Sequence, residues 1–204
     1  MVNNFKQIRE LLEFRSKDDM YFCQILQRKK DAKEGQKVNG TNNNSRLVKA
    51  YYIKSLDQFD FIENEVIKLC ELFNARAGIN LNRRSFEKMA LQHLKKVTDQ
   101  LINKDYSKAY KAYSSVTGAY SHDSDKKWII DLDGEAENTF DFVANINNFL
   151  KTLEPNVGES KVITRIPSKS GSHLITSPFN LKDFRKQFPK VDVHKNNPTN
   201  LFCP

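Results

Sequence analysis

The sequence predicts a mixed α/β protein whose last third is a β-α-β-β-α-β unit. Three observations support this fold class. Apolar residues recur with helical spacing in some segments, whereas other segments are rich in β-branched and aromatic strand formers. Residues that cap helices or form turns separate these segments. The chain of 204 residues is 39% hydrophobic and 28% charged, which is typical of a globular protein large enough to bury a core.

The first half of the chain predicts an α/β lobe that begins with a short helix and a hairpin. The helix is indicated by apolar residues at helical spacing: Phe5, Ile8, Leu11 and Leu12. Segments 20–26 and 47–53 are rich in strand formers and predict the two strands of a long hairpin. Between them lie three basic residues at 28–30 and a segment rich in Gly, Asn and Ser at 35–45, so we expect a basic hairpin tip.

Two longer helices follow the hairpin. Ser55 is positioned to cap the first helix, which should end near Asn74, and Ser85 is positioned to cap the second. The apolar residues of the first helix fall on one face: Phe59, Ile62, Val66, Leu69, Cys70 and Phe73. The second helix has a similar stripe: Phe86, Met89, Ala90, His93, Leu94, Val97 and Leu101. We expect a strand at 75–81 between them and a further helix near 105–114.

The last third has the clearest order of elements. In chain order it contains a strand at 128–134, a helix that Thr139 caps, strands at 161–166 and 172–176 around a turn, a short helix that Asn180 caps, and a final strand at 191–194. This β-α-β-β-α-β order is typical of ferredoxin-like domains, in which the first and third strands are central neighbours and the fourth lies on the other side of the first. We therefore expect a lobe at 1–126 and this module at 127–204, in one compact unit.

The strand at 128–134 ends in two carboxylates, Asp131 and Asp133. Alternate side chains of a strand share a face, so both would point away from the core that Ile130 and Leu132 face. Two carboxylates this close repel each other unless a cation lies between them. Oxygen ligands of this kind suit Mg²⁺ or Mn²⁺. The alternative is a strand end with two solvated aspartates before a glycine turn.

The expected topology adds two residues to this pair. His173 lies on the third strand and Asp192 on the fourth, on either side of the first strand. With Leu174, Val191 and Val193 facing the helices, His173 and Asp192 face the same side as the two aspartates. The sequence therefore predicts three carboxylates and an imidazole on the open face of a helix-backed sheet.

A cluster of this composition is suited to phosphoryl or nucleotidyl transfer. The acids would hold one or two divalent ions that stabilise the attacking and leaving oxygens. The turn Ser170-Gly171-Ser172 before His173 would let backbone N–H groups and the imidazole approach a triphosphate closely. Three nearby cations would neutralise phosphate charge: Lys169, Arg165 and Lys195.

The balance of charge favours a polyanionic partner. The net charge of +8 and the isoelectric point near 9.3 favour nucleic acid, although a basic surface can also serve solubility. The three cysteines are widely spaced and include no C-x-x-C pair, which argues against a disulfide framework and a structural zinc site. No apolar run is long enough to cross a bilayer and the N-terminus does not resemble a secretory signal, so we expect a cytoplasmic protein with no membrane partner.

Three short motifs resemble those of the archaeo-eukaryotic primase superfamily, the family of primase-polymerases. Asp131-Leu132-Asp133 matches its strand-borne D-x-D, Gly171-Ser172-His173 its small-x-His motif, and Val191-Asp192 its hydrophobic-Asp motif on a later strand. The resemblance implies an RRM-like catalytic module in which the three aspartates bind Mg²⁺ or Mn²⁺ and His173 contacts the phosphates of the incoming nucleotide. The implied activity is the transfer of nucleotides from nucleoside triphosphates on a single-stranded DNA template.

The resemblance is specific over residues 127–195 and only architectural over residues 15–103, where the family has a lobe that supports template binding. It implies that Arg76, Arg83 and Arg84 contact nucleic acid. A catalytic fragment and a compact member, such as those of phages and mobile elements, would both have this length. For such a member the implied partners include a helicase or other replication proteins, and the implied location is the cytoplasm of a bacterial or phage-infected cell.

Two other enzyme classes fit less well, and one alternative stays open. A rolling-circle nuclease needs paired histidines and a nucleophilic tyrosine, whereas His173 and His194 lie on different strands. A haloacid-type phosphatase requires Thr or Val directly after Asp131-Leu132-Asp133-Gly134, where Glu135 and Ala136 stand. The open alternative is a basic RRM-like module that binds nucleic acid without catalysis.

Overall fold

The computed structural model describes residues 1–31, 45–109, 111–119, 125–134, 136–156 and 158–204. These residues form two antiparallel β-sheets and seven α-helices. The mixed α+β class expected from the sequence is therefore confirmed. None of the helices within these ranges is long and apolar enough to span a membrane.

The strands are β1 (Val2–Asn3), β2 (Asp19–Arg28), β3 (Ser45–Ile53), β4 (Arg76–Ile79), β5 (Arg84–Ser85), β6 (Trp128–Asp133), β7 (Val162–Pro167), β8 (Gly171–Thr176), β9 (Asp192–His194) and β10 (Thr199–Cys203). The helices are α1 (Phe5–Arg9), α2 (Leu56–Phe73), α3 (Phe86–Ile102), α4 (Tyr106–Ala109), α5 (Ala112–Ala119), α6 (Phe140–Thr152) and α7 (Leu181–Gln187). The helix expected near 105–114 is thus two short helices, because this segment is rich in Ser, Tyr and Lys and has only a weak apolar stripe.

Four helices begin at the capping residues that the sequence indicates. The side chains of Ser55, Ser85 and Thr139 each accept a hydrogen bond from the backbone N–H three residues further on, and that of Asn180 accepts two. Each cap satisfies donors that the first helical turn leaves unpaired and contributes about 1 kcal/mol. At the other end of α2, Asn74 adopts a left-handed backbone with φ of 45°, which closes the helix where the sequence predicts.

The first sheet has the strand order β1-β10-β4-β2-β3, with β5 paired to β2. β2 and β3 form the expected hairpin. Most of its expected basic tip, residues 32–44, lies outside the described residues. Alternate residues of β2 and β4, among them Ile25 and Ile79, are buried with the apolar face of α2. The residues between them therefore face away from α2.

The second sheet has the strand order β7-β8-β6-β9, and all its neighbouring strands are antiparallel. β6 therefore lies between β8 and β9. One face of the sheet packs on α6 and α7, through residues such as Ile146 and Phe184. The residues predicted to face the helices are all in this buried cluster: Ile130, Leu132, Leu174, Val191 and Val193. The expected alternation of faces is confirmed.

The opposite face of the second sheet is not open along its whole length, in contrast to the expectation from the sequence. Ile129, Ile166 and Ile175 lie on this face and belong to the same buried cluster as Phe202 of the first sheet. The run Trp128-Ile129-Ile130 gives the reason, because consecutive apolar residues of a strand point to opposite faces and here both faces are buried. The two sheets pack together over the start of β6, through Ile129 and Ile175, and over β7, through Ile166, whereas the acids lie at the end of β6.

A strand that the sequence analysis did not predict completes the first sheet. We expected the last strand at 191–194, but β10 follows it and pairs with β1 and β4. The pairing partners of β10 are distant in the sequence, so no local pattern indicates them. Asn4 Nδ2 donates hydrogen bonds to the carbonyl oxygens of Pro167 and Asn200 at 2.8 and 2.9 Å. This side chain joins the end of β7 to β10 and thus links the two sheets.

Gly171 allows β8 to lie close to β6. A Cβ atom at this position would lie 1.9 Å from the carbonyl oxygen of Leu132 and 2.9 Å from Nδ2 of Asn138. We expect Gly171→Ala to lower the free energy of unfolding by about 3 kcal/mol or more, because backbone atoms must move to admit the methyl group. Urea unfolding followed by circular dichroism measures the change.

Gly118→Ala is the matched control for this substitution. Gly118 lies in α5, where an added Cβ atom meets nothing within 4 Å. The control is expected to leave stability unchanged or to raise it by up to about 1 kcal/mol. Equal unfolding midpoints for the two variants would contradict the close packing of β8 on β6.

Candidate active site

A cleft with a volume of about 250 Å³ lies between the two sheets. The first sheet contributes lining residues from β2, β4 and β10, and the second sheet from β6, β8 and the turn between β7 and β8. The ionisable residues in its lining are Arg28, Arg76, Asp131, Asp133, Lys169 and His173. Acids and cations of the described residues therefore meet in one cavity.

Strand register brings three of the predicted site residues into one row. Asp131 is directly opposite His173 on β8 and directly opposite Asp192 on β9. Residues opposite each other on antiparallel strands share a face, with Cβ atoms about 5 Å apart. Asp133 lies two residues further along the same face of β6 and is exposed. Among the described residues, Asp131 and Asp133 line the cleft, whereas Asp192 is exposed beside them and does not line it.

Asp131 and His173 form a close polar contact. Nε2 of His173 lies 3.4 Å from Oδ1 of Asp131, which is within the range of an ion pair but long for a hydrogen bond. The contact with His173 holds the pKa of Asp131 below its usual value, against the opposite effect of burial. The charges of His194 and Arg28 act in the same direction as His173. Asp131 is therefore a carboxylate at neutral pH.

A residue of the first sheet contacts the other nitrogen of the His173 ring. Nδ1 of His173 lies 2.9 Å from Oγ1 of Thr199, at hydrogen-bond distance. Thr199 is fully buried at the start of β10. The imidazole thus lies between an acid of the second sheet and a hydroxyl of the first. Sequence reasoning missed Thr199 because it did not predict β10.

Two cations of the cleft meet at one carboxylate. Oδ1 of Asp31 accepts hydrogen bonds from Nη2 of Arg76 at 2.6 Å and from Nζ of Lys169 at 3.1 Å. The two cations come from different sheets, and the sequence analysis assigned Arg76 to nucleic acid and Lys169 to the nucleotide. The structure brings them together. Asp31 was not anticipated, since no local pattern indicates partners so far away in the chain.

Asp31 is fixed in place and ionised. Its side chain is 6% exposed, and its Oδ2 has no hydrogen-bond partner among the residues that the structure describes. Burial acts to raise the pKa of Asp31, but the hydrogen bonds from Arg76 and Lys169 outweigh burial, and the pKa is lowered. The backbone carbonyl of Asp31 also accepts a hydrogen bond from the side chain of Asn74, at the end of α2.

Two residues predicted to bind the nucleotide, Arg165 and Ser172, lie on the helix side of the second sheet. Ser172 precedes His173 on β8, so it points to the opposite face, where it is buried. Nε of Arg165 donates to Oγ of Ser172 at 2.8 Å, and Nη2 of Arg165 donates to Oδ1 of Asn138 at 2.7 Å. These hydrogen bonds connect Asn138, which follows β6, with Arg165 of β7 and Ser172 of β8. Both residues thus support the strand ends from outside the cleft.

Two of the three arginines predicted to contact nucleic acid are buried. Arg83 and Arg84 are 8% and 1% exposed. Nε of Arg84 donates to the carbonyl of Thr117 at 2.8 Å, and burial lowers the pKa of Arg84 to about 10. Arg83 lies 3.7 Å from the Asp19 carboxylate. Of the three, Arg76 is the one that lines the cleft.

The acids of the cleft fit a divalent cation in part. Oδ1 of Asp131 is a buried oxygen of an ionised group, with no hydrogen-bond partner in the described ranges, and a cation would satisfy such an atom. Asp192 and Asp133 lie near it on the same face. As the side chains stand, the described part of the chain contains no group of three or more His, Cys, Asp or Glu residues that could hold a metal ion.

A scan against protein-family models, a search of curated proteins and a search of solved structures found no match to this chain.

The Asp31 carboxylate is expected to stabilise the fold in a pH-dependent way. Because its pKa is lowered in the folded protein, its contribution is present above the unfolded value of about 3.9 and is lost as the pH falls through the folded value. We expect Asp31→Asn to reduce the free energy of unfolding by about 2 kcal/mol at neutral pH. The difference from wild type should shrink as the pH falls, because the wild-type carboxyl group becomes neutral too. Urea unfolding over a pH series measures it.

Asp60→Asn is the control for an exposed ion pair. Asp60 lies 2.8 Å from Arg9, but both side chains are 45% exposed, so solvent screens the pair and little change is expected. An effect of Asp31→Asn that is the same at every pH would show that its origin is not the ion pair.

Proposed function

We propose that the protein is a DNA primase/polymerase-like nucleotidyltransferase that adds nucleotides on a single-stranded template with Mg²⁺ or Mn²⁺. In this proposal β6 to β9, with α6 and α7, form an RRM-like catalytic module. The β-α-β-β-α-β order and the strand order β7-β8-β6-β9 support it, because a ferredoxin-like topology requires both. The resemblance of three motifs to the primase superfamily supports it as well. Such an enzyme would act in the cytoplasm of a bacterial or phage-infected cell.

The observation that carries the proposal is that acids and cations line the same cleft. In nucleotidyl transfer a hydroxyl attacks a triphosphate, and negative charge must be stabilised on the phosphoryl oxygens. Asp131 and Asp133 provide oxygen ligands for divalent ions, and Arg28, Arg76 and Lys169 complement phosphate charge. A cleft lined by acids alone would repel the triphosphate, and one lined by cations alone would not hold a metal.

Asp131, Asp133 and Asp192 would hold the metal. When bound, one or two such ions stabilise the attacking and leaving oxygens of the transferred phosphoryl group. Asp131 is ionised at neutral pH, so it can accept a cation without first losing a proton. Asp133 and Asp192 are exposed, and exposed side chains change rotamer at little cost.

His173, Lys169 and Arg76 would hold the triphosphate. All three line the cleft and carry N–H donors for phosphate oxygens. The Lys169 side chain is 46% exposed, so it can exchange the Asp31 carboxylate for a phosphate group. Arg76 shares that carboxylate and is 18% exposed, which makes it the more rigid of the two cations. Arg165 and Ser172 would act indirectly, through the strand ends that they support.

The template would follow the basic surface of the protein. The net charge of +8 favours a nucleic acid, because its binding releases condensed counterions from the phosphates. Arg28 is exposed at the end of β2 and lines the cleft, so it is the arginine that we expect to contact a template phosphate. The buried Arg83 and Arg84 would support the lobe. A helicase or other replication proteins would be the partners of such an enzyme.

A second candidate function is a non-catalytic module that binds single-stranded nucleic acid. The observation that favours it is that the acids are not gathered into a metal-holding group of three in the described ranges. The same basic surface would then bind the strand, and metal would not be required.

Primer synthesis and extension distinguish the two candidates. The protein is incubated with single-stranded DNA, with or without a primer, with ribo- or deoxyribonucleoside triphosphates and with Mg²⁺ or Mn²⁺. We expect the wild type to add nucleotides, and the Asp131→Ala/Asp133→Ala variant to lose activity by a factor of about 1,000 or more, since it lacks the metal ligands.

Asp141→Ala is the control for the loss of an acid. Asp141 is exposed in the first turn of α6, and its variant should retain full activity. No nucleotide addition by the wild type under either ion, together with binding to single-stranded DNA, would favour the binding module. Activity that survives in the double variant would overturn the assignment of the site.

Lys169→Gln is expected to weaken the binding of a nucleoside triphosphate about tenfold, because one charge-assisted hydrogen bond to phosphate is lost. Titration of a fluorescent, non-hydrolysable nucleotide measures the dissociation constant. Lys190→Gln is the matched control, since Lys190 is exposed in the turn before β9 and its loss lowers the net charge equally. Equal weakening by both variants would indicate general attraction to the basic surface, and no specific contact with Lys169.

A further inference from the structure

Thr199 is a buried polar residue whose partner lies on the other sheet. It is 0% exposed, and it pairs with Ile79 of β4 within the first sheet. A buried hydroxyl group is costly unless it forms a hydrogen bond. Its partner is Nδ1 of His173, 2.9 Å away. The first sheet therefore contacts the imidazole that the second sheet presents to the cleft.

The two ring nitrogens of His173 have different surroundings. Nδ1 faces a hydroxyl group, which can either donate or accept, whereas Nε2 lies 3.4 Å from the carboxylate of Asp131. In a neutral ring one nitrogen carries the proton and the other is an acceptor. A proton on Nε2 is attracted by the Asp131 carboxylate, but a lone pair there would be repelled by it. These surroundings favour the proton on Nε2, and Nδ1 is then left to accept.

We propose that Thr199 is a positioning residue, which donates its hydroxyl hydrogen to Nδ1 of His173 and so keeps the ring proton on Nε2, the nitrogen that faces Asp131. Hydrogen bonds of this kind, made behind a functional histidine, fix its tautomer and its orientation. Because His173 lines the cleft, this Nε2–H group would donate to a phosphate oxygen that replaces its contact with Asp131, a consequence that rests on the proposed function. Because Thr199 belongs to β10, the packing of the two sheets sets the orientation of this donor.

NMR of the full chain tests the proposal without nucleotide or metal. Long-range ¹H–¹⁵N correlation spectra distinguish the two neutral tautomers of an imidazole. The chain has four histidines, and comparison with His173→Gln identifies the signals of His173. At a pH about two units above the ordinary histidine pKa of about 6.5, we expect at least about a tenfold excess of the Nε2–H tautomer in the wild type.

Three variants separate the hydroxyl group from the packing of the residue. Thr199→Val removes the hydroxyl and should lower the tautomer excess at least about threefold, since Nδ1 loses its donor. Thr199→Ser keeps the hydroxyl and should retain the wild-type ratio. Thr176→Val is the matched control, because Thr176 is also 0% exposed but lies on the helix side of β8. It should leave the ratio unchanged.

The proposal is overturned if Thr199→Val keeps the wild-type ratio. It is also overturned if the wild type carries the proton on Nδ1, a result that does not depend on whether the valine variant folds. In activity, Thr199→Val should slow nucleotide addition about tenfold or more, and Thr199→Ser should restore it. A wild type that adds no nucleotides but shows the expected tautomers would refute the proposed function and leave the positioning role intact. If the wild type is active but Thr199→Val keeps the wild-type tautomer ratio, the positioning role is refuted and the proposed function stands.

Discussion

The candidate site depends on the position of β6 between β8 and β9 in antiparallel register. This register places Asp192, Asp131 and His173 in one row across three strands, with no loop between them. Two neighbouring carboxylates repel each other, so such a row is stable only if a cation or a hydrogen-bond donor compensates. The imidazole of His173 partly does so for Asp131. The register itself requires Gly171, because a larger residue would collide with the backbone of β6.

The row of side chains is accessible because burial changes along β6. At the start of the strand both faces are covered, one by α6 and α7 and the other by the first sheet, which packs on Ile129 and Ile175. At its end Asp131 is partly exposed and Asp133 is exposed. The same packing of the sheets brings β10 close to β8, so that Thr199 reaches His173. The cleft thus lies at the end of β6 where polar residues of the two sheets replace the apolar contacts made at its start.

The two cations that meet in the cleft, Arg76 and Lys169, are balanced by the carboxylate of Asp31. Arg76 and Lys169 would repel each other if they met without an anion, and Asp31 holds both of them through one oxygen. In a chain with a net charge of +8, a buried carboxylate at this position allows cations of two sheets to approach. A phosphate group offers the same charge and more acceptor oxygens, which is why we associate this corner of the cleft with the triphosphate.

The sequence by itself determined those features that depend on residues close together in the chain. Local hydrogen bonds explain the four helix caps, which are Ser55, Ser85, Thr139 and Asn180. Periodicity of apolar residues explains the alternation of faces along β6 and the mixed α+β class. The tertiary structure alone decided which polar side chains line the cleft. It buried Arg83 and Arg84, and it added Asp31 and Thr199. The physical reason is distance along the chain. Asp31 and Lys169 form a hydrogen bond although 138 residues separate them. The burial of an arginine likewise depends on the residues that pack over it, and these are not its neighbours in the sequence.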